Sequence, residues 1–281
     1  SAADGDIFIT VFNPTAYERS ESFRLQVELP RGETVSDSWL EAMDGTRVNS
    51  YAHTETPLNL ASVNHENRPK ALYIKRVDLD AEGNGIPAYG YKTLRLVRRI
   101  DEGFVDIFPF PDPKDPYRPL GTMPNRIENE FLKGDIQPNG TVDVTDKESS
   151  KVTRGLNLLL DTGDAGDMWI HRKPKINRLI SSLGAQADIQ LMRNSGLAAT
   201  FRVEMVLNIP ESLTQDRLSR SAHTVPVKFT TDITLRKASR RLEFKTHYNN
   251  VCKDHMLTVR FPAGIETETL VSDVAFEGRE R

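Results

Sequence analysis

Apolar and polar residues alternate along much of the chain. Between residues 23 and 29 every second position is apolar, and the run ends at a Pro-Arg-Gly sequence at 30–32. A period of two predicts a strand with one buried face, and the residues that follow predict a turn. Similar strands are predicted at 7–12, 72–77 and 92–97, with a turn-rich stretch at 83–90. We therefore expect residues 1–100 to form a small antiparallel β-sandwich domain.

Prolines are concentrated between residues 98 and 124. Proline lacks the amide hydrogen that central strands need and disrupts helix interiors, so this stretch cannot form either element. We assign residues 101–124 as a proline-rich linker between two domains.

A second β region follows over residues 125–281. Its clearest signal is Asn139-Gly140, which lies between alternating segments at 131–136 and 141–145 and predicts a β-hairpin. Further strands are predicted at 199–209, 225–235, 241–248 and 256–261, and a turn or two of helix at 176–187 and 211–220. The predicted fold class is all-β.

Composition narrows the functional classes. The 281 residues carry a formal charge of −3, which gives no electrostatic reason to expect nucleic acid or an anionic membrane as a partner. The single cysteine, Cys252, cannot form an intrachain disulfide, and no apolar run approaches the roughly 20 residues that span a bilayer. The N-terminus lacks the features of a signal peptide, and both ends resemble those of a fragment. A cytoplasmic location fits these features best.

The most informative short stretch is GDAGDMWIHRKP at residues 163–174. One interpretation is a metal site, in which Asp161, Asp164 and Asp167 supply oxygen ligands and His171 supplies nitrogen. No second histidine follows at the spacing of zinc pairs, and an EF-hand would need more carboxylates, so we expect no metal here.

Two other interpretations of this stretch remain open. In the first, glycines adopt positive φ and the aspartates bond to the local backbone of an ordinary turn. In the second, Trp169 and His171 share one face of a strand just beyond Asp164 and Asp167. An aromatic ring that stacks on sugar C–H groups, next to acids that bind hydroxyls, is typical of a carbohydrate contact surface.

Other chemical motifs are weak. The pair Asp254-His255 lies at the start of a predicted strand, where charged residues usually form a solvated turn. Nucleophile motifs such as G-x-S-x-G and phosphate-binding loops are absent from the sequence. The residues alone therefore identify no catalytic group.

Three longer segments together resemble the C-terminal β region of bacterial glycoside hydrolase family 38 α-mannosidases. They are ENEFLKGDIQPNGTVDVTDKES, RGLNLLLDTGDAGDMW and RLEFKTHYNNVCKDHMLTVRFPAG, and VFNP and IPAYGYKTL nearer the N-terminus are similar too. The resemblance implies a retaining exo-mannosidase with a catalytic α/β barrel, a helical bundle, and β-sandwich domains that end in a galactose-mutarotase-like supersandwich. This chain would hold only the β part, with the supersandwich incomplete at its C-terminus.

The same resemblance implies a supporting role. The zinc ion and the aspartate nucleophile of the family belong to the barrel, so no catalytic residue or metal ligand is expected here. The GD-x-GD motif matches Asp164 and Asp167 and should face the barrel beside the sugar pocket. The substrate-pocket candidates are completed by Trp169, His171, Asp254 and His255, although Met256 replaces the arginine that follows Asp-His in the family.

We therefore expect a β region that supports a barrel, lines part of an α-mannoside pocket and is inactive alone. The alternatives are an independent carbohydrate-binding or mutarotase-like module and a structural domain without a ligand. Exposed strand edges at an incomplete sandwich also predict an incomplete sheet or association between copies.

Overall fold

The computed structural model describes residues 7–30, 39–62, 70–97, 118–274 and 277–280. The chain is nearly all-β, with several antiparallel sheets and no α-helix among the described residues, so the predicted fold class is confirmed. None of the helices in these ranges is long and apolar enough to cross a membrane.

The first part of the chain folds into two antiparallel sheets. Its strands are β1 (Ile7–Phe12), β2 (Arg19–Pro30), β3 (Trp39–Ala42), β4 (Arg47–Val48), β5 (Ser50–Ser62), β6 (Lys70–Ile86) and β7 (Tyr91–Val97). The sheet orders are β1-β7-β3-β4 and β2-β6-β5. One hydrophobic cluster joins the two sheets, with Leu29 and Val77 from one and Leu40 and Leu96 from the other.

The alternating pattern of β2 is confirmed, and the turn predicted after it lies outside the described residues. The turn predicted at 83–90 is only partly correct, because β6 continues to Ile86 and pairs there with Arg19. Gly85 has a φ of +61°, and the register of β2 against β6 shifts between Arg19 and Glu21. Gly83 and Gly85 therefore belong to an irregularity within β6, and the turn occupies only residues 87–90.

The second part of the chain builds a larger set of sheets. Its strands are β8 (Gly121–Thr122), β9 (Arg126–Glu128), β10 (Leu132–Ile136), β11 (Val142–Asp146), β12 (Val152–Leu156), β13 (Leu158–Gly163), β14 (Ile180–Ser181), β15 (Asp188–Asn194), β16 (Ala198–Pro210), β17 (Thr224–Arg236), β18 (Leu242–Tyr248), β19 (His255–Arg260), β20 (Val271–Val274) and β21 (Glu277–Glu280).

These strands form sheets in the orders β12-β11-β10-β9-β8, β14-β13-β19, β15-β16-β17-β18 and β20-β21. A second hydrophobic cluster lies between them and includes Ile127, Val142, Leu159, Phe201 and Phe229, each with 0% exposure. The strands predicted in this region are all present within a few residues of the expected bounds. The linker boundaries at 101 and 124 stay a prediction, since 98–117 lie outside the described residues.

The predicted Asn-Gly hairpin connects β10 to β11. The Asn139 Oδ1 atom accepts from the Thr141 amide at 3.1 Å and its hydroxyl at 2.8 Å, and Gly140 has a φ of +79°. A Cβ on Gly140 would lie 2.3 Å from Met205 Cε and 2.9 Å from Val203 Cγ1, so the backbone conformation and the packed core both favour glycine here.

The helix predicted at 211–220 is wrong. Leu213 forms an isolated antiparallel bridge with Arg220 instead, and the Asp216 carboxylate accepts from the Thr214 hydroxyl at 2.6 Å and the Leu218 amide at 3.0 Å. Such side-chain bonds to nearby groups compete with helical hydrogen bonds. In the other predicted helical stretch, only the short 3₁₀ helix Ser182–Gly184 forms.

Polar contacts connect the two parts of the chain. Asp80 on β6 is fully buried and pairs with Arg193 and with Arg236, the latter at 3.4 Å. Burial and the nearby Arg236 lower the pKa of Arg193 to about 9. Lys237 and Glu82 pair at 2.8 Å beside them. The two hydrophobic cores are therefore joined through a largely buried set of charges.

Candidate functional site

The GDAGD stretch forms a loop that begins where β13 ends at Gly163. The Asp164 Oδ1 atom accepts from the amides of Gly166 at 2.8 Å and Arg172 at 3.0 Å. The Asp167 Oδ1 atom likewise accepts from the amides of Trp169 at 2.8 Å and Ile170 at 2.9 Å. Each aspartate therefore braces the loop by binding two backbone amides, as the turn interpretation predicts.

These contacts favour the ionised aspartates. Burial alone would raise the pKa of Asp164, but the amides of Arg172 and Gly166 and the nearby His171 bring it below its usual range. The amides of Trp169 and Ile170 lower the pKa of Asp167 in the same way. Both side chains are therefore carboxylates at neutral pH.

The prediction that Trp169 and His171 share one strand face is wrong, because no strand forms between β13 and β14. Trp169 is 85% exposed at the tip of the loop. His171 turns back, with its Nδ1 atom 3.4 Å from Asp164 Oδ1, and its buried Nε2 atom has no hydrogen-bond partner within the described ranges. The two aspartates accept hydrogen bonds from amides two, three and eight residues ahead, and these bonds fold the chain into a loop.

Asp254 lies beside this loop although it is distant in sequence. Its backbone oxygen accepts from the Asp164 amide at 2.8 Å, since β13 and β19 pair with Gly163 opposite His255. The side chain of Asp254 accepts from Arg217 Nη1 at 3.1 Å, and Arg217 Nη2 lies 3.5 Å from the Gly166 oxygen. The structure thus brings together Asp164, Asp167, Trp169, His171 and Asp254.

The side chain of His255 joins a largely buried polar network and makes no hydrogen bond to the loop among the described residues. Its Nδ1 atom lies 2.5 Å from Asp161 Oδ2, and its Nε2 atom lies 3.0 Å from Asn250 Oδ1. Arg220 pairs with the other Asp161 oxygen and also donates to the Asp161 carbonyl at 3.2 Å. Side-chain exposure is 0% for Asp161, 2% for Arg220 and 6% for His255. His255 therefore stabilises the end of β13, where the loop begins, through its contact with Asp161.

Sequence reasoning missed Arg220 and gave Asp161 only the role of a metal ligand. A signal was present for Asp161, because a carboxylate within the apolar run LNLLLDTG needs a buried partner. No comparable signal marked Arg220, which was assigned to a helix that does not form.

The carboxylates do not fit a metal site. Asp161 is committed to Arg220 and His255, and Asp164 directs one oxygen to backbone amides. Across the described ranges there is no group of three or more His, Cys, Asp or Glu side chains arranged to hold a metal ion. The arrangement can instead present carboxylate oxygens and an aromatic face to a polar ligand.

Comparisons with known proteins place this geometry in a wider context. No family model matches the chain. A putative mannosylglycerate hydrolase from Halalkalibacterium halodurans is 25% identical over 171 residues, which cover 56% of this chain and 19% of that protein.

Two solved structures share the fold. An α-mannosidase from Enterococcus faecalis V583 matches 100% of this chain with a TM-score of 0.79 at 22% identity. A protein in glycosyl hydrolase family 38 from Enterococcus faecalis matches 98% with a TM-score of 0.79 at 23% identity. The chain spans only 34% and 35% of those two chains. The resemblance predicted from the sequence is therefore confirmed: this chain folds like about one third of a glycoside hydrolase family 38 α-mannosidase.

Proposed function

We propose that the chain is the β region of a retaining α-mannosidase, where it supports a catalytic barrel and lines part of the pocket for a terminal α-mannoside. The proposal rests on the hydrogen bonding of the two loop aspartates, Asp164 and Asp167. Each binds backbone amides through Oδ1, and no hydrogen bond of the described residues uses the Oδ2 atom of either. One oxygen of each carboxylate shapes the loop, and the other remains for a sugar hydroxyl.

The apolar tip of the loop supports a contact role. Met168, Trp169 and Ile170 are 87%, 85% and 61% exposed. Three consecutive exposed apolar side chains are costly in water, and they are typical of a surface that meets a ligand or another domain. In the proposed enzyme, this tip borders the barrel and the Trp169 ring is available to stack on the sugar.

Catalysis itself is assigned outside this chain. In the proposed enzyme, the barrel holds the zinc ion and the carboxylates that form and hydrolyse a glycosyl-enzyme intermediate. Asp164 and Asp167 would contribute hydroxyl binding beside that centre. The purified 281-residue chain should therefore show no hydrolysis of an aryl α-mannoside above a buffer blank, and clear turnover by contaminant-free protein would refute the assignment.

The pocket role has its own test in the complete enzyme that contains this segment. Asp167→Ala should raise KM for the α-mannoside or lower kcat/KM by about tenfold, the loss expected for one hydrogen bond to a charged group. Asp146→Ala is the matched control, because the Asp146 Oδ1 atom also accepts two turn amides, those of Glu148 and Ser149, each at 2.9 Å. If the two variants had equal kinetic effects, the assignment of Asp167 to the substrate pocket would be wrong.

A second candidate is an independent carbohydrate-binding module, which the exposure of Trp169 favours. Titration calorimetry of the 281-residue chain with mannose and mannobiose separates the two. Binding by the chain alone that is lost in Trp169→Ala supports the module. No heat with either sugar supports a pocket that needs the barrel.

A further inference from the structure

One arginine from a distant part of the sequence contacts the middle of the GDAGD loop. The near end of the loop is fixed by strand pairing, because the Asp164 amide donates to the Asp254 carbonyl at 2.8 Å. Residues 165–171 otherwise bond within the loop, and a single hydrogen bond reaches them from other parts of the described chain. In it, Arg217 Nη2 lies 3.5 Å from the Gly166 oxygen. Arg217 is therefore the polar contact that connects this stretch to the surrounding structure.

The peptide between Gly166 and Asp167 is contacted on both sides. Its carbonyl faces Arg217, and its amide, which belongs to Asp167, donates to the Ile170 carbonyl at 3.2 Å. A peptide unit is planar, so contacts to both of its polar groups fix the plane and the direction in which the next residue leaves it. The position of the Asp167 carboxylate, to which we assign a sugar hydroxyl, therefore depends on the contact with Arg217.

Arg217 belongs to a turn that short-range polar contacts define. Its amide donates to the Thr214 carbonyl at 2.8 Å, and the Asp216 carboxylate accepts from the Leu218 amide at 3.0 Å. Arg217 itself has a φ of +58°, a left-handed conformation that is costly for an arginine. Residues in such conformations persist where the surrounding contacts over-determine them, and they are concentrated at functional sites. The turn thus maintains a strained backbone at the residue whose side chain reaches the loop.

Asp254 orients the Arg217 side chain. The Asp254 Oδ1 atom accepts from Arg217 Nη1 at 3.1 Å, and its Oδ2 atom lies 3.5 Å from the Leu213 amide nitrogen. The two side chains of the ion pair are 48% and 31% exposed, so the pair adds little to the free energy of unfolding. A guanidinium carries its donors in a rigid planar fork and can serve two acceptors at once. Here it links the Asp254 carboxylate to the Gly166 carbonyl.

We propose that Arg217 is a positioning residue for the mannoside site. It fixes Asp167 through the Gly166–Asp167 peptide, and Asp254 in turn fixes Arg217. This role rests on the proposed function, because it requires that Asp167 binds a sugar hydroxyl. Asp254 then acts on the substrate only through Arg217, since both of its carboxylate oxygens are directed to the turn at residues 213–217. A turn remote in sequence from the loop thereby sets the geometry of sugar binding.

Hydrogen–deuterium exchange of the 281-residue chain tests the contact with the loop. Arg217→Asn removes the guanidinium but keeps a residue type that tolerates positive φ. Exchange in a peptide that covers residues 164–172 should become about fivefold faster, the factor expected when a locally opening segment loses one hydrogen bond. Arg126→Asn is the matched control, because Arg126 pairs with Asp135 at 2.8 Å and these side chains are 48% and 27% exposed. Unchanged loop exchange in Arg217→Asn, or an equal increase in the control, would overturn the proposal.

Steady-state kinetics of the complete enzyme that contains this segment test the effect on the substrate. Arg217→Asn should raise KM for an aryl α-mannoside about tenfold with little change in kcat, because a displaced Asp167 weakens binding of the substrate and of the transition state alike. The double variant Arg217→Asn/Asp167→Ala should be no worse than Asp167→Ala alone, since the position of an absent carboxylate has no effect. Arg126→Asn should leave both constants unchanged.

The combined results separate the positioning role from the proposed function. If Asp167→Ala has the same kinetics as its control Asp146→Ala, the assignment of Asp167 to the pocket fails, and exchange in the 281-residue chain still decides whether Arg217 fixes the loop. If Asp167→Ala is impaired and the effect of Arg217→Asn adds to it in full, the two residues act independently. That second result would refute the positioning role while leaving Asp167 in the pocket.

Discussion

The network beneath the loop allows a quantitative test through Asp161→Asn. The Asp161 carboxylate is fully buried and faces both Arg220, with 2% side-chain exposure, and His255. Asparagine has nearly the same shape but carries no charge, so the substitution leaves the Arg220 guanidinium buried without its anion. Removal of one partner of a buried pair costs about 3–5 kcal/mol in the free energy of unfolding.

The matched control is Asp232→Asn on β17. Asp232 pairs with Arg202 through two hydrogen bonds of 2.8 and 2.9 Å, but the two side chains are 25% and 36% exposed. A pair this accessible contributes about 0–1 kcal/mol. The two variants therefore make the same chemical change in an Asp–Arg pair and differ in the burial of that pair.

Cys252 provides the assay. It is the single cysteine, it is 8% exposed within the same core as β13, and burial raises the pKa of its thiol, so native protein should react slowly with thiol reagents. Its labelling through a denaturant series, together with circular dichroism, reports the unfolding of the larger core. A loss below about 1 kcal/mol in Asp161→Asn, equal to that of the control, would refute the structural role of the network.

Three further outcomes are expected. Trp169→Ala should change the free energy of unfolding by less than about 0.5 kcal/mol in a urea titration, because the ring is 85% exposed and packs on little. Gly140→Ala should lower the thermal midpoint far more than Gly155→Ala: both glycines have positive φ, but a Cβ meets Met205 only at Gly140. The lowered pKa of Asp167 means that its contacts stabilise the loop fully above the ordinary aspartate pKa of about 3.9 and are lost as pH falls through the lowered value. Emission of Trp169 in a Trp39→Phe background should therefore change only below about pH 4, and a transition near pH 6 would contradict this.

Local chemistry in the sequence was sufficient for much of the fold. Alternation over 23–29 identified β2 because a strand with one buried face requires that period. Asn139-Gly140 identified its hairpin because the turn needs positive φ and a side-chain acceptor. The bonds of the two loop aspartates to amides two and three residues ahead were predicted for the same reason, whereas the bond from the Arg172 amide to Asp164, eight residues apart, was not.

Only the tertiary structure decided how the site is assembled. Asp164 and Asp254 meet because Gly163 pairs with His255 across β13 and β19, and a period of two indicates which face is buried without indicating which distant strand is the neighbour. The same register brings the His255 side chain to Asp161, whereas the sequence analysis had grouped His255 with Asp254 among the pocket residues. The sequence by itself determined the strands and the turn chemistry of the loop. Strand pairing determined which charged groups are buried together, because a buried charge needs partners that are remote along the chain.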